Sequence, residues 1–170
     1  RSDIQFLSAD LPMADLVADA WLYGTASAAN GGAQIAFQNV GGTRASFRVN
    51  STPNGEQPGQ ITYAEAYTVV PFSNVMVTID LTGDQLRQAL EQQFVPTRGR
   101  QYLALGVSAG FSYAWDALAP QGSKVVPGSM TLNGVPMLPT ATYRVALPNF
   151  LADGGDDFLA FKAGTNRLGG

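Results

Sequence analysis

Leu147-Pro148-Asn149-Phe150-Leu151-Ala152-Asp153-Gly154-Gly155-Asp156-Asp157-Phe158 is the stretch on which the reading of this chain turns. It follows a strand-like run, Tyr143 to Leu147, and sets a Gly-Gly hinge among the carboxylates of Asp153, Asp156 and Asp157. Such a turn suits a calcium loop, an acid/base pair or a site for a diol. Calcium fits least. Counted from Asp153, the EF-hand position for a bidentate Glu is Gly164, and the position for the turn Gly is Phe158. A glycosidase dyad needs carboxylates facing each other across a substrate, which close neighbours on one turn rarely do. One Asp accepting from vicinal hydroxyls needs less.

Working outward, two more segments place polar or aromatic groups at a strand end, where side chains converge on a cleft. Asn39-Val40-Gly41-Gly42-Thr43-Arg44 ends an alternating run, Gln34 to Gln38, that reads as a half-buried strand. Its paired glycines let the backbone approach a ligand, and Arg44 carries a planar fork of donors suited to phosphate or carboxylate. It is neither a P-loop nor a dinucleotide fingerprint, because the Gly-Lys-Ser/Thr and G-x-G-x-x-G patterns are missing. In Val70-Pro71-Phe72-Ser73-Asn74, an aromatic sits on a turn and can stack on a planar ligand, although a lone Phe belongs by default to a core.

Composition narrows the chemistry. The 170 residues include no His and no Cys. Imidazole bases, zinc ligation by His, thiolate nucleophiles and disulfides are therefore excluded for this chain. Ten Lys plus Arg against thirteen Asp plus Glu give a net charge of −3 without a basic cluster, which argues against a nucleic-acid partner. Apolar content of 45% is that of a folded protein, and no apolar run is long enough for a membrane span. The length suits one domain over residues 1–170.

Periodicity fills in the elements. Met13, Leu16, Val17, Ala20 and Trp21 form one helical face running to about Gly24. Residues 50–59 are a polar surface loop. Thr62 with Glu65, and Thr82 with Gln85, are capping boxes. The first opens a short helix, and the second opens an amphipathic helix carrying Leu86, Leu90 and Phe94 that stops before Pro96. Strands are expected at Val75 to Leu81, Leu103 to Val107, Phe111 to Trp115 and Met130 to Leu132. Asn133-Gly134 turns the last of these into Val135 to Leu138. Helices and strands in mixed order with hairpins make an α+β domain, a mixed sheet with packed helices.

In their order and spacing, the segments at 39–44, 70–74 and 147–158, with the helix start Leu81-Thr82-Gly83-Asp84-Gln85-Leu86, resemble the C-terminal domain of the 5′-nucleotidase family. The likeness covers nearly all of the chain. It implies a nucleotide-recognition domain that follows an N-terminal metallophosphoesterase domain of the same polypeptide. That preceding domain, absent from this chain, holds two divalent metals and a catalytic His–Asp pair, so no cofactor and no catalytic residue is expected here. Carried over by position, Phe72 and Phe150 would sandwich the base and Asn39 would bond the base or its neighbourhood. Arg44 would hold phosphate and Asp156 the ribose hydroxyls, with Gly41 and Gly42 keeping the loop close to the ligand.

The activity so implied is hydrolysis of a nucleoside monophosphate to nucleoside and phosphate, in a periplasmic, cell-surface or extracellular setting. Two departures stand out. The family's second phosphate-binding Arg before the first helix is missing from Leu7-Ser8-Ala9-Asp10-Leu11, and Met13-Ala14-Asp15-Leu16 replaces its usual Leu-Gly-Asn-Leu. Family members also usually continue past Gly169-Gly170 into a last helical stretch, so the resemblance implies an end that is either truncated or partly ordered. Alternative readings are a ligand- or protein-interaction module with this fold and no nucleotide role, and a carboxylate-based glycan enzyme.

Overall fold

The computed structural model describes residues 11–169, so most of the Arg-lacking segment before the first helix lies outside the described residues. Helix α1 (Pro12–Thr25) starts with Pro at its first position, where the missing N–H costs nothing. It leads to β1 (Ile35–Asn39), α2 (Tyr63–Val69), β2 (Met76–Thr82) and α3 (Gly83–Glu91). The second half runs through β3 (Leu105–Val107), β4 (Phe111–Ser112), β5 (Thr131–Leu132), β6 (Val135–Pro136), β7 (Thr142–Pro148), α4 (Asn149–Ala152) and β8 (Thr165–Leu168). Both capping boxes form: the Thr62 and Thr82 hydroxyls accept from the Glu65 and Gln85 N–H groups, and the Glu65 and Gln85 side chains accept from the Thr62 and Thr82 N–H groups.

The main sheet has five strands in the order β3-β1-β7-β2-β8, with β1 and β7 parallel and the other neighbours antiparallel. It is the expected α+β mixed sheet. A three-stranded antiparallel sheet of β4, β5 and β6 turns at Asn133 (φ 51°) and Gly134 (φ 77°), the left-handed pair that suits a two-residue hairpin.

Strand β1 is buried along its whole length, not half-buried as its alternation suggests, because the sheet is covered on both faces. Ile35 and Phe37 face the larger core with Val77, Ile79, Val145 and Leu147, roofed by Leu86 and Leu90 of α3. Ala36 faces the other way, where Ala18, Ala33 and Ala146 pack with Trp21 and Leu22. On that second face the buried Gln38 carboxamide accepts from Trp21 Nε1 at 2.9 Å. The polar residue of the alternation is thus a satisfied interior amide, not a solvent-facing one. Gly106 lets α1 lie close, since a Cβ there would fall 2.5 Å from the Ala14 carbonyl carbon.

Two expectations need correction. Phe94 is not on α3, which ends at Glu91; it bridges to Tyr102 and packs with Tyr102 and Trp115 at ring separations of 5.1 and 5.2 Å. The run from Phe111 to Trp115 is only a two-residue strand, with Trp115 in an isolated bridge to Val125.

Candidate functional site

The topology brings the three punctuated segments to one edge of the main sheet. Parallel neighbours β1 and β7 end there together, delivering Asn39 to Arg44 and Asn149 to Asp157 side by side. Antiparallel β2 begins at the same edge, with Met76 opposite Pro148, so the turn holding Phe72 and Asn74 arrives beside them. Asn149 ties the junction: its N–H donates to the Val75 carbonyl at 2.9 Å, and its Oδ1 accepts from the Val75 N–H at 3.2 Å.

Every site residue named from the sequence lines one cleft of about 410 Å³ at this edge, a size that suits a small molecule. Asn39, Gly41, Gly42 and Arg44 form one side, Phe72 the second, and Phe150 with Asp156 the third. Phe72 is 53% exposed and Phe150 41%, in contrast to the buried Phe37, Phe158 and Phe161. These two rings are therefore not core residues, and each presents part of its apolar surface to the cleft. Gly155 lies directly against Phe150, where a Cβ would meet the ring carbons at 2.5 to 2.6 Å. On the other side, the Arg44 guanidinium stands 5.6 Å from the Phe72 ring centroid, and its Nη1 donates to the Gly41 carbonyl at 3.2 Å.

Asp156 is held from across the molecule. Asn39 Nδ2 donates to its Oδ2 at 2.9 Å. The Asn39 side chain is buried, and its Oδ1 finds no partner among the described residues. A Cβ at Gly42 would fall 2.8 Å from that Oδ1 and 2.6 Å from Gln38 Nε2, while one at Gly41 would fall 3.4 Å from Asp156 Oδ2. Gly42 thus makes room for the Gln38 and Asn39 amides, the second of which grips the carboxylate, a use that the motif alone does not reveal. Of the three carboxylates in the turn, only Asp156 lines the cleft. Asp153 is turned to Arg167 at 2.5 Å, and that hydrogen bond holds its carboxyl below the usual range.

Sequence reasoning missed two residues. Asn74, read as a turn former, lines the cleft. Arg98, on the connection after α3, reaches the Asp156 carbonyl with Nη1 at 2.6 Å. Nothing in Pro96-Thr97-Arg98-Gly99-Arg100 marks it, because its partner lies 58 residues away. Among the described residues no group of three or more His, Cys, Asp or Glu could hold a metal.

The sequence model of the family described as 5′-nucleotidase, C-terminal domain, matches residues 5–163. The chain belongs to that family. The 5′-nucleotidase C-terminal domain is 34% identical over 154 residues to the trifunctional nucleotide phosphoesterase protein YfkN of Bacillus subtilis, covering 88% of this chain and 10% of that protein. It is 30% identical over 151 residues to the cell wall protein Lmo0130 of Listeria monocytogenes, covering 88% of this chain and 18% of that one. The crystal structure of the 5′-nucleotidase precursor from Thermus thermophilus superimposes with a TM-score of 0.69 at 36% identity, over 92% of this chain and 29% of that one. The domain therefore spans less than a third of the length of each of these relatives. Among the described residues no helix of the domain is long and apolar enough to cross a membrane.

Proposed function

We propose that this chain is the substrate-recognition domain of a 5′-nucleotidase-like metallophosphohydrolase and that its cleft holds a nucleoside monophosphate. The observation that carries the reading is the meeting of two half-exposed aromatic rings and a tethered carboxylate in one cleft, formed by residues from three distant parts of the chain. The base stacks between Phe72 and Phe150, each stack contributing about 1–3 kcal/mol with little dependence on which base it is. Asn39 takes up one oxygen of Asp156, and the carboxylate keeps acceptor capacity for ribose hydroxyls. Arg44, with its position fixed by Phe72 and the Gly41 carbonyl, faces the phosphate. Asn74 offers an amide to the edge of the base.

Two divalent metals and a His–Asp pair belong, on this reading, to a preceding metallophosphoesterase domain of the same polypeptide. When bound there, the metals supply an activated water for attack on phosphorus. Among the described residues no carboxylate cluster fits such a metal pair, and the part of this chain on this reading is binding and orientation. Placement outside the cytoplasm is supported by the cell wall relative.

Titration of the 170-residue chain with adenosine and with AMP, followed by NMR, tests this directly. Resonances around Phe72 and Phe150 should move, with a dissociation constant of about 0.1–10 mM. The pure chain should release no phosphate from AMP with or without divalent metals. Metal-dependent turnover would overturn the division of labour, and a titration without shifts would favour an interaction module.

A further inference from the structure

The Asp156 turn is an expensive piece of backbone. Asp156 (φ 54°) and Asp157 (φ 63°) are consecutive non-glycine residues in the left-handed region, preceded by Gly154 at φ 82°. Such a pair persists only where its surroundings hold it. The Asn39 bond grips the Asp156 side chain and the Phe158 N–H closes the turn on the Gly155 carbonyl, but neither holds the Asp156 carbonyl itself.

Arg98 supplies the missing constraint. Its Nη1 donates to the Asp156 carbonyl at 2.6 Å, and its guanidinium lies 5.7 Å from the centroid of the buried Phe158 ring, two residues on. Its other nitrogens donate to the Gln93 and Arg100 carbonyls, each at 2.9 Å. The guanidinium therefore staples the cleft turn to the connection between α3 and β3. Burial draws its pKa below the usual arginine value, and the nearby Asp157 and Asp156 carboxylates oppose that shift. Arg98 does not line the cleft.

We propose that Arg98 is a positioning residue that aims the Asp156 carboxylate and so sets the preference of the cleft for ribose over 2′-deoxyribose. The inference rests on the nucleoside reading above. A ribose offers Asp156 two neighbouring hydroxyls, which one carboxylate meets only in a narrow range of orientations. A 2′-deoxyribose lacks one of them, and base stacking on Phe72 and Phe150 is indifferent to the change.

The test compares adenosine with 2′-deoxyadenosine on the wild-type chain, Arg98→Met and Arg98→Lys, by NMR titration. The wild type should favour adenosine by about tenfold, the effect of one hydrogen bond to a charged group. Arg98→Met keeps the length of the side chain but donates nothing, so the ratio should fall towards one, with 2′-deoxyadenosine, which keeps one hydroxyl, losing less than adenosine. Arg98→Lys, which restores charge but not the fork, should lie between. Amide exchange without ligand adds a readout independent of the nucleoside: the Phe158 N–H, bonded to the Gly155 carbonyl at 3.1 Å, should exchange faster in Arg98→Met. Equal losses for both nucleosides, or an unchanged ratio in both variants, would overturn the proposal. Failure of both nucleosides to bind the wild type would overturn the nucleoside reading as well, whereas a wild type that binds both without preference would remove only the ribose assignment.

Discussion

Phe150 and Gly155 form a pair in which one residue makes the surface and the other makes its space. Removing the ring in Phe150→Ala should abolish most base affinity, a loss of about tenfold or more given the worth of one stack. Gly155→Ala sets the same pair against itself from below: the new Cβ would fall 2.5 Å from the ring and push it off its seat. Adenosine affinity should therefore fall in Gly155→Ala although no ligand-facing atom is removed. Unchanged NMR titrations of both variants would refute the clamp. At this scale the sequence was legible where the chemistry belongs to the residue type: aromatics on turns, an arginine beside glycines, an aspartate after a hinge. It was silent where the role depends on a distant partner, as with Arg98, and it did not show that Gly42 also makes room for the Asn39 amide.

Helices α2 and α3 rest on the same reciprocal cap, and both were readable because a capping box is complete within four residues. Thr82→Ala removes the acceptor for the Gln85 N–H and should destabilise the fold by about 1 kcal/mol in chemical denaturation. The cap of α2 adds a pH dependence. Hydrogen bonding, first from the Thr62 backbone N–H, holds the Glu65 carboxyl below its ordinary value. A lowered folded-state value means that the stabilisation is complete above the ordinary carboxylate pKa and is lost as pH falls through the lowered one. Amide exchange in α2 should therefore quicken on acidification, beyond the intrinsic change in rate, and Glu65→Gln should flatten that response. Strand β8 escaped notice for the opposite reason: Thr165–Leu168 is an exposed edge, so no apolar period marks it, and only its pairing with β2 defines it.

The whole molecule is organised around a sheet whose central strands are covered on both faces, and the second face also holds a polar cluster. There Arg144 donates to Asp80 Oδ1 at 3.0 Å, to Thr78 Oγ1 at 2.7 Å, and to the Gly31 and Asn166 carbonyls. One guanidinium thus joins β7, β2, the turn before β1 and the β8 edge. Arg144→Met should leave the Asp80 carboxylate, 21% exposed, with the Asn166 amide as its remaining side-chain donor among the described residues, and should cost about 2 kcal/mol in urea denaturation. Asp80→Asn should cost less, because an amide still accepts one of those bonds. A change within error for Arg144→Met would show the cluster to be dispensable. The fold class was legible from mixed element order and hairpin signals. The parallel pairing of β1 with β7, which decides where the cleft lies, was not, because strand neighbours across a hundred residues leave no local mark.

That parallel pairing also gives the cleft a place in time. Ile35 must find Val145, and the intervening chain has to be traversed before Asn39 can reach Asp156. Contacts so distant in sequence carry a large loop-closure cost and are slow to form. A compact intermediate with α3 and the hairpins in place but β7 undocked would contain every residue of the site and none of the site. A nucleoside that binds the finished cleft therefore stabilises only states in which β7 has docked on β1, and its effect on the melting temperature would report that docking.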